Sequence, residues 1–329
     1  MKGSSLSQDL KSLLNNKRYS DIEIICEDNI KLYANRVILA ARSNVLDALF
    51  YNGLKESYEN QIRFPTFNSH VMKIVLEYVY TGSVREESLN DDIIIIEAYS
   101  AADYFQLPDL QEFITGIFKN SLLKSCRVHN LPVLLSNVVE KKKPSLIENH
   151  ILIDLIIEEL STFPLNVIEF GRLSLEALRY LLSYKHEKKM PFVTPEYEIL
   201  RYCAILVGKN VSNDTYETLS KRLPILEPMN YIQVEILRYS AILGGKKVCN
   251  NAYETLFKRQ PIPPISGQIE YIQVENNFTD CQKVAEILEP LIKYIDLKRI
   301  NTQILAKIIE PLGIVSSEII KDAMINTYM

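Results

Sequence analysis

The sequence predicts an α+β domain, with a small sheet wrapped by helices, followed by an all-α region. Near the N-terminus, two short segments alternate apolar and polar residues, the first with Ile22, Ile24 and Cys26 and the second with Ile30, Leu32 and Ala34; a further short strand is expected at Gln61–Phe64. Apolar residues at helical spacing surround these segments. From about residue 122 onward the spacing is helical throughout, with few glycines and no strand-like alternation.

Length and composition restrict the class of protein. A chain of 329 residues has room for two domains, which we place at residues 1–120 and 121–329. The net charge of −4 and the pI near 5.8 argue against a nucleic-acid partner. Five widely spaced cysteines suit a reducing compartment, and neither a membrane-spanning run nor a signal peptide is evident. We expect a cytoplasmic protein with no membrane partner, and the nucleus stays open as a location.

A short amphipathic helix is predicted at the start of the chain. Ser5 and Gln8 have capping-box spacing. A leucine stripe follows at helical spacing: Leu6, Leu10, Leu13 and Leu14. A helix this short is marginal alone, so the stripe must pack on something. We predict that it forms a homodimer interface, and the alternative is packing on its own domain.

The following segments are predicted in order. The two alternating strands form a hairpin around Glu27-Asp28-Asn29. Val37–Ala41 is too apolar for a surface helix, and Ser43 can cap the next helix. After the third strand, apolar residues at Val71, Ile74, Val75 and Tyr78 predict a helix that Gly82 ends.

These pieces, in this order, resemble the BTB (POZ) domain family over roughly residues 5–120. The matching residues are Asp21, Ala34-Asn35-Arg36, Val37–Ala41, Ser43 and Tyr80-Thr81-Gly82. Asn35 stands where the family usually has His, and since Asn also donates and accepts hydrogen bonds, the fold should tolerate it. The resemblance implies that Asp21 and Arg36 form a buried structural charged pair.

The resemblance also implies a partner. Adaptor-class BTB domains bind cullin-3 scaffolds of ubiquitin ligases through a hydrophobic residue, any residue and then Glu. Leu54-Lys55-Glu56 stands at the corresponding place. An exposed Leu can fill a pocket while the Glu56 carboxylate fixes the register. The alternative is that Leu54 only covers the local core.

The second half resembles the BACK domain, an all-helical stalk that follows BTB domains. Leu-rich helical segments precede Thr194-Pro195-Glu196, which reads as N-cap, first helical position and acidic first turn. The family's usual Trp is missing, because the chain contains none.

An internal duplication lies within this region. Glu198–Pro224 and Glu235–Pro261 align without gaps at an offset of 37 residues, and 19 of the 27 positions are identical. Each copy is predicted to be a helix, a polar turn and a second helix, as in stacked helical repeats. One copy should fill the BACK position and the other should be an inserted hairpin; the sequence does not decide which.

Catalytic signatures are missing. Gly208-Lys209 lacks the rest of a P-loop, the histidines lack metal spacing, and no nucleophile motif stands out. We therefore expect no enzyme activity, no metal and no cofactor. Two functions remain: a dimeric adaptor that brings an unidentified protein cargo to a cullin-3 ligase, or a BTB scaffold that binds no cullin. Since kelch-like repeats are missing, the helical region would bind the cargo, or the chain is a truncated relative of a longer adaptor.

Overall fold

A computed structural model describes residues 3, 5–122, 130–140, 151–162, 164–165, 168–189, 194–225 and 280–325. The chain divides into two compact units. The first contains residues 1–128 and 141–155, and the second contains residues 129–140 and 156–329. The predicted boundary at residue 120 stays a prediction.

A three-stranded sheet with the order β2-β1-β3 lies in the described part of the first unit. Its strands are β1 (Ile22–Cys26), β2 (Lys31–Ala34) and β3 (Gln61–Phe64). β1 pairs antiparallel with β2, and Asn29 adopts the left-handed conformation that Asn tolerates in the turn between them. β1 pairs in parallel with β3, and the helices between β2 and β3 supply the crossover that parallel pairing requires. The predicted hairpin and third strand are confirmed.

Six helices surround this sheet within residues 5–122. They are α1 (Leu6–Lys11), α2 (Arg36–Arg42), α3 (Asn44–Tyr51), α4 (Ser69–Thr81), α5 (Asp92–Tyr104) and α6 (Pro108–Leu122). Ser43 caps α3 as predicted, since its hydroxyl accepts from the backbone N–H of Leu46 at 3.3 Å. Gly82 ends α4 as predicted, with a φ of 73°. α4 is the central helix, because its side chains are buried along nearly its whole length.

Asn35 and Tyr80 join the start of α2 to the middle of this core. The fully buried Tyr80 hydroxyl accepts from the Asn35 backbone N–H at 2.8 Å and donates to Asn35 Oδ1 at 3.0 Å. The Asn35 side-chain amide donates to the carbonyl of Tyr19. Burial raises the pKa of Tyr80 to about 12, so the hydroxyl stays protonated and able to donate. Asn35 therefore makes the polar contacts that the fold needs at this place, as expected.

Three local expectations for this unit are wrong. Val37–Ala41 was expected in the core, yet within α2 only Leu39 is buried and Val37 is 66% exposed. Ser5 stands at the N-cap of α1, but its side chain accepts no capping hydrogen bond. Ile30 is exposed because it precedes β2 instead of lying in it.

The described part of the second unit is helical, together with α8, which contains the division point. The helices are α7 (Leu131–Glu140), α8 (Ile151–Leu160), α9 (Leu175–Glu187), α10 (Glu196–Val211), α11 (Asn213–Arg222), α12 (Cys281–Ile292), α13 (Thr302–Ile304) and α14 (Ser317–Ile325). Helical turns at Leu297–Arg299, Leu305–Ile309 and Glu310–Leu312 connect the last three. The expectation of an all-α second half is confirmed for these residues.

α10 and α11 form the helical hairpin of the first duplicated copy. α10 is buried from Tyr197 to Gly208 and contacts α9 and α12. Gly208 permits close packing of α11, because a Cβ built there would lie 2.7 Å from Leu219 Cδ1. The role of Gly208 is therefore close helix packing. The second copy lies outside the described residues.

Charged side chains are buried in this unit. The Glu198 and Arg201 side chains lie 3.8 Å apart, and Arg201 Nε donates to the Leu223 carbonyl at 2.7 Å. Burial lowers the pKa of Lys185 to about 7, while the neighbouring Glu196 carboxylate acts in the opposite direction. Lys185 is therefore partly neutral near neutral pH, which reduces the cost of burying it.

Thr194 is not the N-cap of α10. Its hydroxyl accepts from the backbone N–H of Leu165 at 2.9 Å, and Pro195 stands at the N-cap position instead. The predicted acidic first turn is confirmed, since Glu196 and Glu198 begin α10.

We expect Tyr80→Phe to lower the free energy of unfolding by about 1–3 kcal/mol, because it leaves the partly buried Asn35 N–H and Oδ1 without this partner. Urea denaturation measures the loss. Tyr58→Phe is the matched control, since Tyr58 is 82% exposed and should lose almost nothing. Equal stability of Tyr80→Phe and wild type would contradict the structural role of this hydroxyl.

Candidate docking site

The docking loop, residues 52–59, follows the C-terminus of α3. Gly53 has a φ of 75°, a conformation that L-residues other than Gly rarely adopt. This residue turns the chain away from the helix, and Leu54 then continues in extended conformation. Lys55–Ser57 forms a single 3-10 turn. The loop thus presents Leu54 immediately before a short helical turn that contains Glu56.

Leu54 and Glu56 are both available to a partner. Leu54 is 49% exposed, so it does not serve only to cover the local core. Glu56 is half-buried, and among the described residues its carboxylate has no hydrogen-bond or ion-pair partner. An exposed apolar side chain two residues from an unpaired carboxylate suits a partner that offers an apolar pocket and a hydrogen-bond donor or a cation. Tyr58 adds a largely exposed aromatic ring to the same loop.

Arg36 holds the docking loop against the N-terminus of α2. Its guanidinium donates to the carbonyls of Ser57 at 2.9 Å and Glu56 at 3.5 Å, and also to the carbonyl of Glu59. The same group lies 5.3 Å from the centre of the Phe50 ring in α3. The Ser57 hydroxyl also donates to the Leu49 carbonyl, at 3.3 Å. These contacts fix the backbone from which the Leu54 and Glu56 side chains project.

The observed contacts of Asp21 and Arg36 differ from the predicted charged pair. Asp21 is exposed, and its carboxylate accepts from the backbone N–H of Arg36 at 2.8 Å. It therefore satisfies one of the free N–H groups at the start of α2, where a negative charge is favourable. The Arg36 guanidinium is directed to the loop carbonyls instead. The expected buried side-chain pair is wrong, although both residues are structural.

The leucine stripe of α1 divides between packing and exposure. α1 packs on α4 of the same chain, which is the alternative left open by the sequence. Leu10 is half-buried, and so are Leu13 and Leu14, although these two follow the end of α1 at Lys11 and the helix is shorter than the predicted stripe. Leu6 is 77% exposed. Lys11 of α1 lies 3.1 Å from the carboxylate of the buried Glu77 in α4, and Arg85 lies 3.0 Å from the same oxygen. The dimer interface itself stays a prediction.

Other kinds of site find no support in the described residues. Within these ranges no group of three or more His, Cys, Asp or Glu side chains could hold a metal ion. Nor does any helix of the described segments combine the length and apolar character of a membrane span. Of the cysteines described, Cys26 and Cys203 are buried thiols and burial raises the pKa of both, which makes them unreactive.

Comparison with known proteins identifies the class of the first unit. Residues 10–122 match the model of the BTB/POZ domain family. The chain is 31% identical over 140 residues to BTB/POZ domain-containing protein 9 of Drosophila melanogaster, which covers 40% of this chain and 19% of the relative. It is 25% identical over 237 residues to human Kelch-like protein 6, covering 69% of this chain and 35% of that protein. The chain therefore spans about a fifth to a third of the length of these two relatives.

Among solved structures, the BTB domain of human gigaxonin aligns at 21% identity with a TM-score of 0.27, covering 35% of this chain and 95% of that one. The family match agrees with the sheet and helices described above for this part of the chain. Residues 10–122 are the BTB/POZ domain of the chain, and the described residues that follow are helical.

Sequence reasoning missed the contacts that shape this site. The partners of Arg36 are main-chain carbonyls, and a carbonyl gives no residue-specific signal in a sequence. The contact of Lys11 with Glu77 joins residues 66 positions apart, and the pattern of either helix alone does not reveal it. Gly53 was a detectable signal, because a Gly after a helical stripe often ends a helix.

We expect Arg36→Lys to loosen the docking loop while leaving α2 in place. Lysine keeps the charge but cannot reach several carbonyls with a planar group, and hydrogen bonds to charged groups contribute about 1.5–3 kcal/mol. Hydrogen exchange at the Ser57 and Tyr58 amides should become about tenfold faster. Lys55→Ala is the control for the same loop. Unchanged exchange in Arg36→Lys would show that the guanidinium does not hold the loop.

Proposed function

We propose that this protein is a non-catalytic interaction adaptor whose docking loop binds a cullin-3-type scaffold, as a dimeric substrate-recruiting subunit of a ubiquitin ligase. The observation that carries the proposal is the exposed Leu54 beside the Glu56 carboxylate, which has no partner among the described residues, on a loop that Arg36 fixes. The match of residues 10–122 to the BTB/POZ family supports it. The resemblance to adaptor-class members implies a scaffold-binding motif at Leu54-Lys55-Glu56. The cargo would bind the helical region or a segment outside the described residues.

Fixed geometry at the docking loop supports binding over local packing. Ordering a flexible loop on binding costs conformational entropy, and a loop already held by several hydrogen bonds avoids most of that cost. Arg36 and Ser57 connect the loop to α2 and α3. Exposure of an apolar side chain on such a held loop has no evident benefit for folding, whereas it favours a partner with an apolar pocket.

Dimerisation would use the exposed apolar residues of α1 and α2. Leu6 and Val37 are 77% and 66% exposed and would leave water if a second copy covered them. The domain is expected to be a homodimer in which these side chains are covered. A cytoplasmic location accords with the free thiols of the described cysteines.

A binding measurement with the purified N-terminal domain of cullin-3 tests the scaffold proposal. We expect Glu56→Lys to weaken binding at least tenfold, because it removes the carboxylate and places a cation at the interface. Leu54→Asp should weaken it similarly by removing the apolar anchor. Glu87→Lys is the charge-matched control at an exposed position of the same domain and should change affinity less than about twofold.

Two results would contradict the proposal, the first for the adaptor itself and the second for the docking loop as its binding site. If the wild-type protein does not bind cullin-3, the chain is a BTB scaffold of the second class that the sequence left open. If Glu56→Lys and Glu87→Lys bind equally well, a cullin is bound through another surface.

A mass measurement in solution tests the dimer. We expect wild type to have the mass of two chains and Leu6→Glu to have the mass of one, since a charge at a buried interface opposes association. Leu6 is mostly exposed within a single chain. At high dilution, where both proteins are monomers, Leu6→Glu should therefore melt at the same temperature as wild type. A wild-type monomer that persists at high concentration would contradict the proposal.

A further inference from the structure

The duplicated segments differ at eight of their 27 aligned positions. The first copy, Glu198–Pro224, is described by the structure and therefore shows what each of those positions does. Pairs of residues that differ are Cys203/Ser240, Val207/Gly244, Asn210/Lys247, Ser212/Cys249, Asp214/Asn251, Thr215/Ala252, Ser220/Phe257 and Leu223/Gln260. These eight pairs are a natural set of substitutions for the packed hairpin.

Most of the differences fall where the first copy is buried or capped. Cys203, Val207 and Leu223 are fully buried, and the second copy has Ser, Gly and Gln at these positions. Glycine would remove buried apolar surface and weaken the interior of the helix. Glutamine would place an amide in an apolar position. Each of the three changes makes the second copy a poorer occupant of the same place.

A hydrogen-bond cluster adds a polar requirement. The Ser212 hydroxyl caps α11 by accepting from the Thr215 backbone N–H at 3.0 Å. The Thr215 hydroxyl donates to Asp280 Oδ2 at 2.8 Å, and the Ser212 hydroxyl reaches the same oxygen at 3.4 Å. Asp280 immediately precedes α12, so this cluster joins the turn between α10 and α11 to the next described helix. Cysteine and alanine at the matching positions of the second copy cannot reproduce it.

Exposed positions include both identical and differing residues. Lys209, Glu217 and Lys221 of the first copy are exposed, and their counterparts are identical in the second copy. Asn210 and Asp214 are also exposed and differ between the copies. The differences that bear on packing are those at the buried Val207, Thr215 and Leu223 and at the capping Ser212.

We propose that the place between α9 and α12 is a binding site for one segment of the same chain, specific for the first copy, and that Val207, Ser212, Thr215 and Leu223 are its specificity-determining residues. Asp280 is the residue on the receiving side that recognises the hydroxyl groups of this hairpin. The eight differences make the sequence of the second copy a poorer fit to this place, although 19 of its 27 residues are identical to those of the first. This proposal does not depend on cullin binding.

Two deletions make a matched comparison. Deleting residues 198–234 leaves the second copy, and deleting residues 225–261 leaves the first. Both products have the same length and the same flanking sequences, because the copies align at an offset of 37, and they differ only at the eight positions. We expect the protein that keeps the first copy to melt within a few degrees of wild type. The protein that keeps the second copy should melt roughly 10 °C lower or fail to fold.

If the protein that keeps only the second copy does not fold, a variant in which first-copy residues are put back still tests the proposal. In the deletion of residues 198–234, Gly244→Val, Cys249→Ser, Ala252→Thr and Gln260→Leu together should recover most of the lost melting temperature. Equal melting of the two deletion proteins would overturn the proposal, as would failure of the restored variant to recover. Collapse of the protein that keeps the first copy would overturn it as well.

The full-length chain gives an independent readout. Ser212→Cys with Thr215→Ala introduces second-copy residues at the cluster and should lower the melting temperature by several degrees. Asn210→Lys introduces a second-copy residue at an exposed position and should leave it unchanged. If the two variants melt alike, the hydroxyl groups do not select the copy.

Discussion

The N-terminus of α2 is the junction on which the BTB domain depends. Three consecutive links leave the chain there: the Asn35 N–H donates to Tyr80, the Arg36 N–H donates to Asp21, and the Arg36 guanidinium donates to the docking loop. The first link reaches the buried Tyr80 in the last turn of α4, the second reaches Asp21 immediately before β1, and the third fixes the docking loop. Because the first N–H groups of a helix have no partner within the helix, a helix start can hold other elements together in this way.

Local chemistry made much of this fold predictable. The hairpin, the third strand, the Ser43 cap and the Gly82 stop each depend on residues close together in sequence, and all four are confirmed. The predictions that were wrong concern places where residues far apart in the sequence determine the local structure. Val37–Ala41 has the composition of a core helix, yet only the packing of the whole domain determines which face of α2 is covered. Thr194 has the pattern of an N-cap, but the backbone N–H of Leu165 takes its hydroxyl.

The residues of the candidate site could be predicted from the sequence, but the contacts that hold the docking loop could not. Leu54 and Glu56 came from a tripeptide whose position gave it meaning, and the structure adds that the Leu is exposed and the carboxylate is unpaired among the described residues. The resemblance matched Arg36 to a charged partner, whereas the structure directs it to three main-chain carbonyls. A guanidinium has five N–H donors in a planar array, so it can hold several carbonyls where a simple ion pair would hold one group. The docking loop is therefore positioned by the same residue that begins α2.

The helical unit shows the same relation between a local pattern and its surroundings. Helical periodicity is equal in the two copies and cannot rank them. The contacts of the first copy show which copy fits this place better, because Val207 and Leu223 are buried there and Thr215 donates a hydrogen bond to Asp280. The differences between the copies include these contacts, so the first copy is matched to its neighbours in a way that the sequence of the second copy is not. Because buried polar groups are costly without partners and lost buried groups leave cavities, such differences separate two nearly identical hairpins in stability.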